Sequence, residues 1–160
     1  MEIYLLRHGI AEDARAGEPD SDRSLTAEGK KKLRGVLRTA SEAGVRPSLI
    51  LTSPYRRALQ TAQLAAEVLK YEGDLLRTRS LEPSSRPEGV WEEVRVHKDE
   101  PQVLLVGHDP LFSILTAYLL GCSGLQIDFK KGGLACVEVD KFASAPKGVL
   151  KWYLTPKLTA

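Results

Sequence analysis

Three short stretches of this chain carry residues able to hold and transfer a charged group: Arg7-His8-Gly9, Ser53 with Arg56-Arg57, and Gly107-His108. Arginine presents a fixed fork of donors that matches phosphoryl oxygens, and it stays protonated at any relevant pH. An imidazole beside such a group can be a nucleophile, a proton donor or a metal ligand. Metal binding is the weaker reading, because the chain has no H-x-x-x-H or Cys/His spacing and flanking arginines repel a divalent cation. His8 ends a strand-like run and precedes Gly9, which permits close backbone approach by a substrate. That placement suits covalent catalysis, with His108 stabilising charge on the group in transfer.

Each of these residues also has an ordinary reading. A lone strand-end histidine is usually held by a backbone hydrogen bond, and a helical arginine is usually solvated or ion-paired. Arg56 and Arg57 are adjacent on a helix and point about 100° apart, so one of them reaches the ligand. Ser53 reads first as a helix N-cap and second as a phosphate contact. Asp109 reads as an N-cap, and Arg23 as a loop arginine that could line the mouth of a site. Lys130 and Lys131 read as a solvated turn, with docking of an acidic protein as the less common alternative. His97 falls seven residues after Val90 and reads as a partly buried structural histidine.

The elements that must position these groups follow from hydrophobic periodicity. Glu2 to Leu6 suits a buried parallel strand, and Glu12 to Ser24 is a polar, Gly/Pro-containing loop. Thr26 caps a helix over Ala27 to Ala43, with Leu33, Val36, Leu37 and Ala40 on one face and Gly44 as its stop. Ser48 to Thr52 is a strand. Ser53-Pro54 opens a second helix with Tyr55, Leu59, Ala62, Ala66 and Leu69 inward. Leu75 to Thr78 is a short edge strand, and Glu88 to His97 a modest helix. Gln102 to Val106 is the clearest buried strand, followed by a helix capped at Asp109-Pro110 with Leu111, Leu115, Tyr118 and Leu119 on one face. Leu134 to Val139 and Val149 to Leu154 are closing strands. This alternation predicts a three-layer α/β/α sandwich with a mainly parallel central sheet. In such a sheet ligands bind at the carboxyl ends of the strands, so all three reactive stretches should meet in one crevice.

Bulk properties narrow the setting. At 160 residues the chain fits one domain, residues 1–160, with room for a substantial core. A net charge of +2 gives no reason to expect nucleic acid or an acidic membrane surface as a partner, so any functional positive charge must be local. The N-terminus lacks the n-region, long apolar stretch and cleavage site of a signal peptide, and no run is long enough to span a bilayer. Cys122 and Cys136 lie outside any C-x-x-C spacing and read as buried thiols. A cytoplasmic protein is expected.

Leu6-Arg7-His8-Gly9 resembles the signature of the histidine phosphatase superfamily, which also contains the phosphoglycerate mutases. The resemblance continues through Arg23-Ser24-Leu25-Thr26-x-x-Gly29, Ser53-Pro54-x-x-Arg57-Ala58-x-Gln60-Thr61-Ala62 and Val106-Gly107-His108-Asp109-Pro110, in order and spacing. Lys130-Lys131-Gly132-Gly133-Leu134-Ala135 and Leu154-Thr155-Pro156-Lys157 are similar to the short SixA-type branch, the protein phosphohistidine phosphatases. The resemblance implies a phosphoglycerate-mutase-like fold and hydrolysis without cofactor or metal. It makes His8 the residue that is phosphorylated, Arg7 and Arg57 the ligands of the phosphoryl oxygens, and His108 the stabiliser of the transition state. Arg56 fills a variable position and is assigned to the surface or to substrate steering.

The leaving group separates the candidate functions. An ester expels an alkoxide and benefits from a positioned acid, for which Glu82 in Leu81-Glu82-Pro83 is the candidate, although an ordinary loop carboxylate is the commoner reading. A phosphohistidine needs less help, since its imidazole can carry a proton near pH ~6.5. The short chain also has little material for a lid. A phosphorylated protein, such as a histidine phosphotransfer domain, is therefore the favoured substrate. A small-molecule phosphomonoesterase using Glu82 is the first alternative, and a non-catalytic module that binds phosphorylated partners is the second.

Overall fold

The computed structural model describes residues 1–160. Its elements are β1 (Glu2–Arg7), α1 (Ala27–Glu42), β2 (Leu49–Thr52), α2 (Arg56–Val68), β3 (Leu75–Arg77), α3 (Pro87–Val96), β4 (Gln102–Gly107), α4 (Leu111–Leu119), β5 (Leu134–Glu138) and β6 (Val149–Leu154). Short 3₁₀ turns cover Asp20–Asp22, Arg79–Leu81 and Pro156–Thr159.

The six strands form one sheet in the order β3-β2-β4-β1-β5-β6. The first four are parallel, while β5 runs antiparallel to β1 and β6 antiparallel to β5. Because side chains alternate along a strand, each buried strand feeds both layers. Ile3, Leu5, Leu51, Val103 and Leu105 pack against Val90, Trp91 and Val94 of α3 and Leu111, Phe112 and Leu115 of α4. Tyr4, Leu6, Ile50, Leu104 and Val106 pack on the other face against Leu33, Val36, Leu37 and Ala40 of α1 and Ala58, Ala62 and Ala65 of α2. The result is the expected α/β/α sandwich with a mainly parallel sheet.

Local signals explain most boundaries. Thr26 Oγ1 accepts from the Gly29 amide at 2.9 Å and starts α1. Gly44 follows its end at φ 87°, a left-handed conformation that an L side chain rarely tolerates.

Two helix starts differ from expectation. The second helix begins at Arg56, not at Pro54, and its N-cap is Tyr55. Its buried face is consequently Arg57, Ala58, Thr61, Ala62, Leu64 and Ala65, and the expected stripe through Tyr55, Leu59 and Ala66 is turned toward partial exposure. At α4 the N-cap position is Pro110, yet Asp109 still does the capping: its carboxylate accepts from the Ser113 amide at 2.9 Å. Cys136 is buried as expected, but Cys122 is exposed, because it lies in the turn after α4. His97 is partly buried at the end of α3.

Candidate active site

Register places the reactive residues side by side. Arg7 of β1 stands opposite Gly107 of β4, so the chains leave the sheet together and His8 and His108 are each one residue beyond. The His8 amide donates to the Gly107 carbonyl at 3.0 Å, which ties the two strand ends. On the other flank of β4, Thr52 pairs with Val106 and the Ser53 amide donates to the Val106 carbonyl at 3.0 Å. The strand order β2-β4-β1 therefore lines up Ser53, His108 and His8 at one carboxyl edge. Their order in the chain is different, and only β4 inserting between β1 and β2 brings them together.

His8 and His108 lie with ring centroids 5.2 Å apart and planes at 58°. His8 is 6% exposed and His108 1%. His8 Nδ1 meets its own neighbour's carbonyl, Gly9 O, at 2.7 Å. A carbonyl only accepts, so Nδ1 carries the hydrogen and Nε2 of the neutral ring holds the lone pair. Into that lone pair points Arg57 Nε, at 3.3 Å. His108 Nε2 shares a 2.8 Å hydrogen bond with Ser53 Oγ, and its Nδ1 is buried without a partner. The Ser53 hydroxyl also accepts from the Tyr55 amide at 3.2 Å, so it braces the turn into α2 and the imidazole at once.

Arg7 donates from Nη1 to the Phe129 carbonyl at 2.6 Å, while its buried Nε has no partner within the protein. Leaving a buried charged donor unpaired costs on the order of 1–3 kcal/mol or more. An anion at this position would remove that cost. Arg57 is 4% exposed and is held from outside by Asp20, whose carbonyl accepts from Nη1 at 2.8 Å and whose carboxylate accepts from Nη2 at 3.1 Å. Tyr55 completes the wall: its ring meets His108 edge-on at 5.1 Å and lies 5.1 Å beneath the Arg57 guanidinium.

Both imidazoles are neutral here. Burial, joined by the Arg57 and Arg7 cations and opposed by the hydrogen bond to Gly9, pushes the His8 pKa from 6.5 down to about 3. Burial, then the nearness of the His8 ring and of the Arg57 cation, brings His108 to about 3 as well. Asp20 moves the other way for a carboxylate: burial tends to raise it, but hydrogen bonds from Arg23 and Arg57 outweigh burial and hold it below its usual value. Arg57 is drawn down by burial and supported by Asp20, and an arginine so placed stays charged.

The remaining candidates are placed as follows. Arg23 stands one step away, binding the Asp20 carboxylate at 2.8 Å through Nε and the Glu12 carbonyl at 3.3 Å through Nη1. Arg56 is exposed and lines a surface hollow with Ser21, Asp22, Tyr55 and Glu82. Glu82 pairs with Arg79 at 3.4 Å and has no hydrogen bond to either imidazole. Gly9 also answers to a packing constraint. A Cβ there would lie 2.6 Å from Leu33 Cδ1 and 3.3 Å from the Gly29 carbonyl, so Gly9 is small because α1 presses on it. Thr61 Oγ1 accepts from the Gly9 amide at 3.2 Å and Gln60 Oε1 accepts from the Leu25 amide at 2.8 Å, which accounts for the Gln-Thr pair as braces of the site. Asp20 and the Phe129 carbonyl escaped the sequence reading, since no spacing marks a loop carboxylate or a backbone oxygen, while Tyr55 and Thr61 were named there only as a helix face and a motif position. No group of three or more His, Cys, Asp or Glu side chains is arranged to hold a metal ion.

The profile of the histidine phosphatase superfamily (branch 1) matches residues 3–78, which include Arg7, His8, Ser53 and Arg57. An uncharacterized protein of Picosynechococcus sp. is 34% identical over 136 residues, covering 84% of this chain and 82% of that one. The chain belongs to the histidine phosphatase superfamily. Within the superfamily its likeness is to the SixA type. Phosphohistidine phosphatase SixA of Escherichia coli (strain K12) is 26% identical over 163 residues, covering 98% of this chain and 94% of that one. The structure of the protein histidine phosphatase SixA complexed with tungstate superimposes with a TM-score of 0.88 at 26% identity, covering 99% of both chains. This histidine phosphatase thus matches SixA along its whole length, and no helix in it is long and apolar enough to cross a membrane.

Proposed function

We propose that this histidine phosphatase removes the phosphoryl group from phosphohistidine in a phosphotransfer protein, through a covalent intermediate on His8. The observation that carries the reading is the pairing of an unprotonated His8 Nε2 with Arg57 Nε at 3.3 Å, beside a buried Arg7 Nε that has no partner. A phosphoryl group seated between the two guanidiniums brings its phosphorus to Nε2. The P–N bond to the substrate imidazole breaks as the P–Nε2 bond forms, and the departing imidazole takes a proton from solvent water. Water then attacks the phosphorus, the P–Nε2 bond breaks, and phosphate leaves with His8 neutral again. His108, one ring away, stabilises charge on the equatorial oxygens. The 160-residue chain carries out the reaction as one domain, without metal or cofactor.

The choice of leaving group rests on Glu82. Its carboxylate pairs with Arg79 at 3.4 Å and makes no hydrogen bond to either imidazole, so no acid is already engaged there to protonate an alkoxide. An imidazole leaving group needs none.

A panel of a phosphorylated histidine phosphotransfer domain, phosphotyrosine peptides and small phosphate esters, assayed without added metal, tests this reading. Turnover should be fastest on phosphohistidine. Comparable or faster turnover of a sugar or nucleotide phosphate, abolished by Glu82→Gln, would replace it with the phosphomonoesterase. Binding of the phosphorylated domain without release of phosphate would replace it with a non-catalytic module.

A further inference from the structure

A trough of positive charge runs from the site along the outside of α1. One hollow of about 620 Å³ begins at Arg7 and is walled by Lys32, Lys130, Lys131 and Lys157, with Asp128 as its one carboxylate. A second, of about 720 Å³, shares Lys32, Pro156 and Lys157 with the first and continues past Glu28, Lys31 and Arg38. The chain as a whole has 23 basic and 21 acidic residues, so this is segregation of charge and not a surplus. Lys130 is balanced by Asp128 at 2.6 Å and Lys32 by Glu28 at 3.0 Å, while Lys131 and Lys157 are exposed and have no carboxylate partner.

The trough is built into the site. The Gly132 amide donates to the Arg7 carbonyl at 3.1 Å and to the His8 carbonyl at 3.0 Å, so the turn that presents Lys130 and Lys131 sits on the end of β1. Arg7 and these ammonium groups line one and the same hollow.

We propose that the trough through Lys131, Lys32 and Lys157 docks a carboxylate-rich face of the phosphorylated protein substrate, next to its phosphohistidine. This rests on the phosphohistidine reading above. The wall chemistry selects a protein over a small second phosphate. Small-ligand sites bury most of the ligand against a few fixed polar groups, whereas these lysines are exposed point charges on flexible stems. Such rim charges act chiefly on association rate and partner choice, and salt screens them.

The test uses Lys32→Glu/Lys157→Glu, two exposed residues outside the reaction centre, and Lys32→Arg/Lys157→Arg as the charge-retaining control. The probes are a phosphorylated histidine phosphotransfer domain with acidic residues around its histidine, and phosphoramidate as a small substrate. The Glu pair should lower kcat/KM on the domain about tenfold at low salt, with the gap closing as salt rises. It should leave phosphoramidate turnover within about twofold, and the Arg pair should behave as wild type on both. An unchanged kcat/KM on the domain, or an equal fall on phosphoramidate, overturns the docking surface while the phosphohistidine reading stands. A wild-type enzyme that hydrolyses phosphoramidate or esters but not the domain overturns both.

Discussion

Arg57 Nε lies 3.3 Å from His8 Nε2, deep in the site, and the two groups define each other's state. A guanidinium N–H can only donate, so the imidazole nitrogen facing it must be the unprotonated one. The Gly9 carbonyl at 2.7 Å fixes the same tautomer from the other side of the ring. His8 Nε2 therefore holds its lone pair, facing Arg57, before any substrate arrives.

Replacing Arg57 tests the shape of that donor as well as its charge. Arg57→Lys keeps the cation but loses the fork, and kcat/KM should fall about a hundredfold on any accepted substrate. A variant within a few-fold of wild type would mean that charge alone suffices.

Asp20 is expected to act through Arg57. Its carbonyl and carboxylate occupy Nη1 and Nη2 at 2.8 and 3.1 Å, which leaves Nε free to face His8. Asp20→Ala should lower kcat roughly tenfold by loosening the guanidinium. The carboxylate is largely exposed, so Tm should hardly move. Equal losses in stability and activity would instead mark Asp20 as a plain structural contact.

How much of this was legible in the sequence follows from which forces act locally. The strand ends carrying His8 and His108 could be read because buried parallel strands are short apolar runs with sharp polar limits. Their adjacency could be expected only from the rule for open sheets, since β1 and β4 are about a hundred residues apart in register. Ser53 looked like a helix cap because Ser-Pro commonly opens a helix. In the fold the helix waits until Arg56, and the hydroxyl meets His108 as well as the Tyr55 amide. Asp20 had no legible signal: a loop carboxylate finds its arginine through tertiary structure alone. Cys122 was misread because burial statistics for cysteine say nothing about one particular turn.

Gly29 shows where a local rule reverses. In an exposed helix, Gly→Ala stabilises by about 1 kcal/mol. Here a Cβ would run into the Ile10 backbone, which has no side-chain end that could yield. Gly29→Ala should destabilise by about 2–3 kcal/mol in urea unfolding, and kcat should fall with the displacement of the Gly9-Ile10 segment. A stabilised variant would show that α1 and this segment are less closely pressed.

The neutral imidazoles link stability to pH. His8 and His108 are at about 3 in the folded state against 6.5 when unfolded. Between those values the unfolded chain binds the protons, so stability is full above about pH 6.5 and falls as pH drops toward 3. The slope should approach about 1.4 kcal/mol per pH unit for each histidine as an upper limit. Urea unfolding at a series of pH values should show this slope in wild type and about half of it in His108→Asn. An unchanged slope in the variant would mean that His108 is already charged in the native fold.

The central claim is tested most directly by trapping the intermediate. The enzyme is mixed with a radiolabelled phosphohistidine protein, quenched in alkali within the first turnover, and its peptides are mapped. The expected result is base-stable, acid-labile label on the peptide carrying His8, with neither label nor turnover in His8→Ala. Turnover that survives His8→Ala, or label that maps to another residue, would contradict the account.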